Sequence, residues 1–341
     1  MKRVLLVGAG HAHAALLAAL AREPLHGASL TLVSPRARQV YSGMLPGVIA
    51  GHYTREDAEF DAAVLARRAS AEFAEGLVTR FDAAERRVLL SDGRSLEFDV
   101  ASVNVGSRVE APAHALPVKP FDDFLERLRR AAHIAIAGGG AAGAELAMAL
   151  RHRGAEVTLY SHESPFKGAL ESRVVRALRR RGVDFRPGMH VDAIEPGPVV
   201  VAGAAHQQFD LVLWATGAAS HPWLRASGLA VDEAGFVTVD ATLRSESHPH
   251  VFALGDCAAA GEAKSGVHSV RQGRACAQNL RRLLANEVLL PYTRNPKALM
   301  LMTCGARYAI AARGGWSAEG RWAWWWKDRI DRRWLRTLSG N

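Results

Sequence analysis

The chain contains one pattern twice: a buried strand, a glycine-rich turn, an apolar helix and a second buried strand. Residues 4–7 and 134–137 are short apolar runs without polar alternation, which indicates strands of a parallel sheet. A glycine turn and an apolar helix follow each run, and a further apolar run comes at residues 30–33 and 157–160. Because two copies are far more specific than one, the pattern predicts an α/β fold with two Rossmann-like dinucleotide-binding domains.

Each glycine turn has the residues that a pyrophosphate site needs. Glycine at the first two positions lets the backbone turn tightly and approach the phosphates, which the N–H groups at the helix start then face. The first copy has Gly8 and Gly10, but His13 stands in the third place, where a bulky side chain must fit between helix and strand. The second copy has all three glycines, at Gly138, Gly140 and Gly143.

Neither copy ends its second strand with the acidic residue that usually binds the ribose hydroxyls. Ser34 and Ser161 stand there instead, and Glu163, two places further on, is an alternative ribose ligand. No arginine directly follows Ser161 to indicate a 2′-phosphate. The choice between NADH and NADPH therefore stays open.

Length and composition narrow the class of protein. A chain of 341 residues predicts about two domains, and 49% hydrophobic with 23% charged residues is typical of a globular protein. Three cysteines exclude a disulfide scaffold, and no apolar run reaches the ~20 residues of a membrane span. We expect no cleavable signal peptide. The net charge of +9 favours anionic partners, but scattered basic residues without a base-reading motif argue against nucleic acid.

Three further apolar strands end in turns that belong to a known order of motifs. They occupy residues 99–105, 209–217 and 251–257, and a helix follows at residues 267–284. In this order the chain resembles the pyridine nucleotide-disulfide oxidoreductase superfamily over nearly its whole length, and within it the type II NADH dehydrogenases. Residues 40–47 and 264–273 are similar to a bacterial subgroup that is also found fused ahead of selenide, water dikinase, whose catalytic domain is absent here.

The resemblance implies two cofactors, FAD on the first glycine turn and NAD(P)H on the second. It implies an FAD domain of residues 1–107 and 239–296, an NAD(P)H domain of residues 108–238, and a C-terminal segment of residues 297–341. For His11 and His13 a packing role competes with a phosphate or flavin contact. The predicted cofactor-binding residues are Gly8, Gly10, His11, Ser34, Gly106, Gly255 and Asp256 for FAD, and Gly138, Gly140, Gly143 and Gly217 for the second domain and its crossover.

The resemblance also implies three catalytic residues. Glu145 matches the glutamate of the family's GxGxxGxE motif, which places it near the nicotinamide or the flavin, although an ordinary helix position is the alternative. Arg271 and Gln272 match the paired glutamines that flank the flavin in type II dehydrogenases, with arginine replacing one of them. We expect Lys119, at the crossover between the domains, to be a solvated linker residue rather than a flavin contact.

The cysteines argue against dithiol chemistry. The first 256 residues contain none, and Cys257, Cys276 and Cys304 have no CxxC or CxxxxC spacing. A thiolate and a resolving thiol are therefore not expected beside the flavin. Single-cysteine chemistry through Cys257 or Cys304 stays an alternative to buried, small hydrophobic side chains. We predict no metal site, because no carboxylate or cysteine accompanies the histidines at ligand spacing.

Tryptophan is concentrated at the C-terminus, where six of the eight lie within the final 26 residues. The segment predicts a helix from about Gly320 with an apolar stripe along one side. Most of its charged residues lie outside this stripe. The stripe consists of Trp322, Trp326, Ile330, Trp334 and Leu338. Tryptophan with arginine on an amphipathic helix suits the headgroup region of a membrane. Packing on the flavin domain or on a second subunit is the alternative, and a homodimer stays open.

These inferences predict a cytoplasmic enzyme, or one peripheral to the inner face of the plasma membrane. It passes a hydride from NAD(P)H to flavin and two electrons to an acceptor, for which a quinone is the first choice. One alternative is an oxidoreductase of sulfide, persulfide or a selenium species. Another is a flavoprotein without enzymatic activity that senses redox state and docks a partner through its C-terminal segment.

Overall fold

Two five-stranded parallel sheets form the frame of the molecule in the computed structural model, which describes residues 1–119, 121–128 and 131–340. The elements up to residue 107 are β1 (Lys2–Val7), α1 (His11–Leu20), β2 (Ala28–Ser34), β3 (Arg38–Val40), α2 (Leu45–Ile49), β4 (Glu59–Asp61), α3 (Ala62–Arg68), β5 (Ala71–Glu75), β6 (Val78–Asp82), β7 (Arg87–Leu90), β8 (Ser95–Glu97) and β9 (Val100–Val103).

The second part of the chain holds the second copy of the repeat. Its elements are β10 (Leu116–Pro117), α4 (Phe121–Leu128), β11 (His133–Ala137), α5 (Ala141–His152), β12 (Glu156–Ser161), α6 (Gly168–Arg180), β13 (Asp184–Pro187), β14 (Ala193–Glu195), β15 (Val199–Ala202), β16 (Ala205–Gln208), β17 (Leu211–Trp214) and α7 (Pro222–Arg225).

The last part returns to the first sheet and then adds a small C-terminal unit. Its elements are β18 (Val237–Thr238), β19 (Val251–Ala253), β20 (Ala258–Ala259), α8 (Gly266–Leu284), β21 (Met300–Cys304), β22 (Ala306–Arg313), β23 (Trp316–Gly320) and α9 (Arg321–Ser339). Strands β21, β22 and β23 form an antiparallel sheet that packs on α5, and α9 packs on β22, α1 and α3.

The two parallel sheets confirm the predicted repeat. Their strand orders are β19–β9–β1–β2–β5 and β10–β17–β11–β12–β13. The two carboxyl edges correspond, because Val7 lies between Val33 and Val103 while Ala137 lies between Tyr160 and Trp214. Both glycine turns therefore leave the middle strand of a parallel sheet at its carboxyl end, where ligands bind in folds of this type.

The predicted domain limits stay predictions, but the packing locates the cores. One core combines residues of β1 and β9 with Leu224, Leu229 and Val237, so the chain already packs against the first sheet soon after β17. On the other face of that sheet, α1 lies directly against α8. A side chain at Gly273 would overlap the backbone oxygen of Ala12, which makes glycine necessary at this contact.

The C-terminal helix forms as predicted, but its apolar stripe does not face one environment. Trp322, Trp326 and Ile330 are exposed, Trp334 is half-buried and Leu338 is buried. Residues four apart turn about 40° around a helix, so the ends of a five-residue stripe are about 160° apart. The charged side chains of Lys327 and Asp331 are buried on the inner face. The buried residues of α9 are Ala323, Trp324, Lys327, Asp331, Leu335 and Leu338.

Candidate functional site

A buried asparagine organises the carboxyl edge of the first sheet. Asn104 directly follows β9, and its Oδ1 accepts hydrogen bonds from the backbone N–H groups of Ala12 (3.1 Å) and His13 (3.2 Å). Its Nδ2 donates to the carbonyl oxygen of Leu254 at 2.8 Å. One amide thus joins the start of α1 to the ends of β9 and β19. Asn104 is not among the residues predicted from the sequence, although a polar residue directly after an apolar strand was the available signal.

The first glycine turn has no room for side chains. Gly8 has φ +89°, and a Cβ there would lie 2.5 Å from the carbonyl oxygen of Asn104. A Cβ at Gly10 would lie 2.5 Å from Oδ1 of the same residue. Gly106, with φ +70°, faces open space instead. The turn is a backbone cradle at the start of α1, and such a cradle fits the pyrophosphate of FAD.

His13 stands in place of the third glycine and connects the glycine turn to β9 by hydrogen bonds. Its Nδ1 lies 2.5 Å from the carbonyl oxygen of Gly8, and its Nε2 lies 2.8 Å from the hydroxyl of Ser102. Because a carbonyl can only accept, Nδ1 carries the proton and Nε2 accepts from Ser102. Burial lowers the pKa of His13 to about 4, so the ring is neutral at physiological pH. The packing role considered for His13 is the one that these contacts support.

Charged and polar side chains gather around Asp256, at the end of β19. Its Oδ2 lies 3.3 Å from Nζ of Lys119 and accepts a hydrogen bond from Ser107 at the same distance. Lys264 donates from Nζ to the carbonyl oxygen of Asp256 at 2.7 Å. Burial lowers the pKa of His11 to about 4, although the charge of Asp256 opposes the shift. The expectation of a solvated linker role for Lys119 is wrong, because its ammonium pairs with Asp256.

Gln272 holds the turn that precedes Asp256. It is buried in α8, its Oε1 accepts from the N–H of Gly255 at 2.7 Å, and its Nε2 donates to Glu262 at 3.2 Å. Glu262 also accepts from the hydroxyl of Tyr292 at 2.8 Å. Arg271, the other half of the predicted pair, is exposed. The two residues therefore differ in kind: Gln272 positions the turn, whereas Arg271 faces outward.

The second glycine turn repeats the cradle on the second sheet. Gly138 has φ +117°, and a Cβ there would lie 2.5 Å from the carbonyl oxygen of Ala215. A Cβ at Gly143 would overlap the carbonyl oxygen of Gly138, whereas Gly140 has open space. The first residues of α5 are exposed, so its N-terminus is accessible to an anionic ligand. Gly217 follows β17 at this same edge.

The ribose positions keep the ambiguity seen in the sequence. Ser34 is buried and accepts from Nε2 of Gln39 at 3.3 Å. Ser161 is buried as well, and its hydroxyl donates to the carbonyl oxygen of Glu163 at 2.7 Å. The side chain of Glu163 is exposed. Both serines thus shape the turns after β2 and β12, and their roles as ribose ligands stay predictions.

Glu145 lies where α5 meets the C-terminal sheet. Its Oε1 accepts from the backbone N–H of Thr303 at 2.7 Å and from the hydroxyl of the same residue at 2.9 Å. Burial raises the pKa of Glu145, and the nearby charge of Lys327 opposes that shift in part. The carboxyl group is therefore held in a fixed position and is easier to protonate than an exposed glutamate.

A buried ion pair connects α9 to the segment before α2. Nζ of Lys327 donates to the carbonyl oxygen of Gly43 at 2.6 Å and to Oδ2 of Asp331 at 2.5 Å. The hydroxyl of Tyr41 donates to Oδ1 of Asp331 at 3.0 Å. Burial raises the pKa values of both Asp331 and Tyr41. This cluster was not predictable from the sequence, because an amphipathic pattern indicates charged side chains on the solvent side.

The cysteines are not arranged for catalysis. Cys257, Cys276 and Cys304 are all buried, and burial raises their pKa values to about 11, 12 and 12 respectively. None of the three thiols is ionised at neutral pH, so they behave as the small buried hydrophobic residues considered above. In the part of the chain that the structure describes, no group of histidine, cysteine and carboxylate side chains could hold a metal ion.

Comparisons with known proteins agree with this geometry. The sequence model of the family described as pyridine nucleotide-disulphide oxidoreductase matches residues 2–275. Ferroptosis suppressor protein 1 of Xenopus tropicalis is 26% identical over 273 residues, which are 71% of this chain and 72% of that protein. The type II NADH:quinone oxidoreductase of Haemophilus influenzae is 24% identical over 53% of this chain, and the match spans about half of its own length, 47%. Among solved structures, the sulfide:quinone oxidoreductase of Aquifex aeolicus aligns with a TM-score of 0.81 at 17% identity, covering 100% of this chain and 92% of that one.

Proposed function

Because the chain belongs to the pyridine nucleotide-disulphide oxidoreductase family, we propose that it is an NAD(P)H:quinone oxidoreductase that takes its acceptor from a membrane surface. The chain is an FAD-dependent oxidoreductase with NAD(P)H as the electron donor. Bound FAD would supply the two-electron redox chemistry between NAD(P)H and the acceptor. The finer assignment concerns which side chains serve each ligand and what the acceptor is.

Two edges of parallel sheet bind the two dinucleotides in this proposal. Gly8, Gly10 and the start of α1 hold the FAD pyrophosphate, while Asp256, positioned by Gln272, contacts the ribityl and phosphate region. Lys119 neutralises Asp256 and keeps it oriented. Gly138, Gly140 and Gly143 let the NAD(P)H pyrophosphate reach the N-terminus of α5. In this proposal His11, Ser34, Gly106 and Gly255 are further FAD contacts and Gly217 lies at the crossover, as predicted from the sequence.

Glu145 serves the acceptor by holding a proton. A quinone that accepts two electrons also takes up two protons, and Oε1 of Glu145 is fixed by Thr303. Burial raises its pKa, so the carboxyl takes up a proton more readily than that of an exposed glutamate. The neighbouring ammonium of Lys327 stabilises the carboxylate after the proton has left.

One observation carries the assignment of a membrane-borne acceptor. The same helix, α9, bears buried Lys327 on its inner face and exposed aromatic side chains on its outer face. We call the outer group the tryptophan face: Trp322, Trp325, Trp326 and Ile330, which are between 40% and 51% exposed. Indole rings favour the membrane–water interface, and quinones are apolar. Lys327, whose charge acts on Glu145, lies on the buried side of the same helix, so a docked tryptophan face keeps Glu145 close to the membrane surface that holds the acceptor. No described helix is long and apolar enough to span a bilayer.

The first test separates the donor and acceptor halves of the reaction. FAD-loaded protein is mixed anaerobically with NADH or NADPH, the loss of flavin absorbance is followed, and a short-chain quinone is then added. We expect fast bleaching by at least one nucleotide and fast recovery with quinone. If polysulfide or selenite restores the absorbance and quinone does not, the acceptor assignment is wrong. If none of these acceptors restores the absorbance, a redox-sensing role is favoured instead.

A matched pair of variants tests the role of Glu145. Glu145→Gln cannot supply a proton, so we expect bleaching by NAD(P)H to be nearly unchanged and recovery with quinone to slow by about 10²-fold or more. Glu156→Gln, at an exposed position of β12, is the control and leaves both steps unchanged. Equal recovery rates in the two variants would contradict the proposed role.

A further inference from the structure

A cavity of about 600 Å³ lies between the C-terminal half of α9 and the ends of α1 and α3. Five arginines converge on it, and no acidic side chain lines it. They come from three elements that are distant in sequence, so the fold and not the local sequence brings them together. We call this the arginine cavity: Arg22, Arg68, Arg329, Arg333 and Arg336.

Most of these guanidinium groups are uncompensated. Arg68 is committed, because it donates to the carbonyl oxygens of Thr337 (3.3 Å) and Leu338 (2.6 Å) at the end of α9. The guanidinium groups of Arg22, Arg329 and Arg333 make neither an ion pair nor a hydrogen bond with any residue that the structure describes. Several like charges around one open cavity repel one another, and a bound anion would remove that repulsion.

The arginine cavity continues the tryptophan face along the same side of α9. Arg329 and Arg333 follow Trp322 and Trp326 by seven residues each, which is about two helical turns. The rings of Trp322 and Trp326 are stacked, with centroids 6.2 Å apart. The outer side of α9 is therefore aromatic in its first half and cationic in its second half.

We propose that the arginine cavity binds the phosphate groups of anionic phospholipids while the tryptophan face enters the bilayer interface. Arginine binds phosphate oxygens through paired N–H donors, and indole rings beside the cations fit a headgroup layer better than a nucleic-acid groove or free solution. The inference rests on the membrane docking in the proposed function, to which it adds selectivity for lipid charge.

Vesicle flotation of the full-length, FAD-loaded protein tests the inference. The probes are phosphatidylcholine vesicles and vesicles that also contain phosphatidylglycerol. Each basic residue near an anionic surface strengthens binding about fivefold, so Arg329→Gln/Arg333→Gln should lose about thirtyfold in affinity for the anionic vesicles and nothing for the neutral ones. Arg86→Gln/Arg87→Gln, which removes the same charge from two exposed positions at the start of β7, should behave like the unchanged protein. Melting temperatures and bleaching by NAD(P)H confirm that each variant is folded.

The outcomes distinguish this inference from the docking that it builds on. Trp322→Ala/Trp326→Ala should weaken binding to both vesicle types. Equal binding of the unchanged protein to both types would overturn the arginine cavity as a lipid site and leave membrane docking standing, whereas binding to neither would overturn both. Equal losses in the two arginine pairs, or binding of inorganic phosphate or duplex DNA that Arg329→Gln/Arg333→Gln abolishes without any preference for anionic vesicles, would also overturn the lipid assignment.

Discussion

A single histidine shows how a side chain can occupy a position that usually requires glycine. At Gly143 a Cβ would overlap the turn itself, but His13 lies at the same position of the first repeat and bonds to that turn. Helix α1 makes its close approach on its other side instead, where Gly273 of α8 meets Ala12. The imidazole then spans from the turn to Ser102, and it does so only as a neutral ring.

The neutral state of His13 makes a pH prediction. Because folding lowers its pKa from the ordinary 6.5 to about 4, its contribution to stability is complete above pH 6.5 and is lost as the pH falls toward 4. His13→Gln keeps a donor for Gly8 and an acceptor for Ser102 but cannot titrate. We expect the free energy of unfolding to fall by about 2 kcal/mol less between pH 7 and about pH 4.5 in this variant.

Denaturant titrations at a series of pH values measure this difference. His26→Gln, at an exposed position, is the control and should follow the pH dependence of the unchanged protein. Parallel curves for the unchanged protein and His13→Gln would show that the ring accepts a proton in the folded state. His11 is retained in every variant, so its own lowered pKa contributes equally throughout.

At the scale of elements, the side-chain amide of Asn104 links the ends of three segments by hydrogen bonds. Asn104 caps α1 from β9 and also reaches the end of β19. Asn104→Ala leaves two backbone donors and one acceptor without their partner, each costing about 1 kcal/mol or more when buried. We expect a loss of about 3 kcal/mol in the free energy of unfolding and weaker retention of FAD during gel filtration. Asn104→Asp, which keeps the acceptor for α1, should lose about half as much. An alanine variant that keeps FAD as tightly as the unchanged protein would contradict this role.

The elements also show what could be predicted from the sequence. Strands buried on both faces give continuous apolar runs, so both parallel sheets and both glycine turns were predictable from local residues. The contacts of Asn104 and Lys119 were not, because their partners lie at the ends of other strands far along the chain. The buried side of α9 was not predictable either. A stripe of residues spaced four apart drifts around the helix, and only tertiary packing decides which part of it is buried. The strands β21, β22 and β23 were not predicted from the sequence either.

At the scale of the molecule, α9 connects the two dinucleotide-binding parts. Its buried Lys327 contacts the segment before α2, while Glu145 of α5 approaches the same junction from the second part. A polar inner face is unusual for a docked helix, because buried charges stabilise only when they are paired and hydrogen-bonded. The junction meets this condition, since Lys327, Asp331 and Tyr41 satisfy one another. The directed contacts among these three side chains fix the position of α9, and therefore the direction in which the tryptophan face points.

Removing one charge of the Lys327–Asp331 pair should lower the free energy of unfolding more than removing both charges. Lys327→Met leaves the carboxylate of Asp331 buried without its cation, and we expect the free energy of unfolding to fall by about 3 kcal/mol. Lys327→Met/Asp331→Leu should recover most of that loss in denaturant titrations, because neither charge stays buried alone. The double variant should still bleach with NAD(P)H but reoxidise slowly with quinone, since Glu145 has lost its neighbouring ammonium. Arg94→Met, at the exposed pair with Asp92, is the control and should leave stability unchanged. If the double variant is no more stable than Lys327→Met, α9 is held by its apolar contacts alone and the junction is not what orients the tryptophan face.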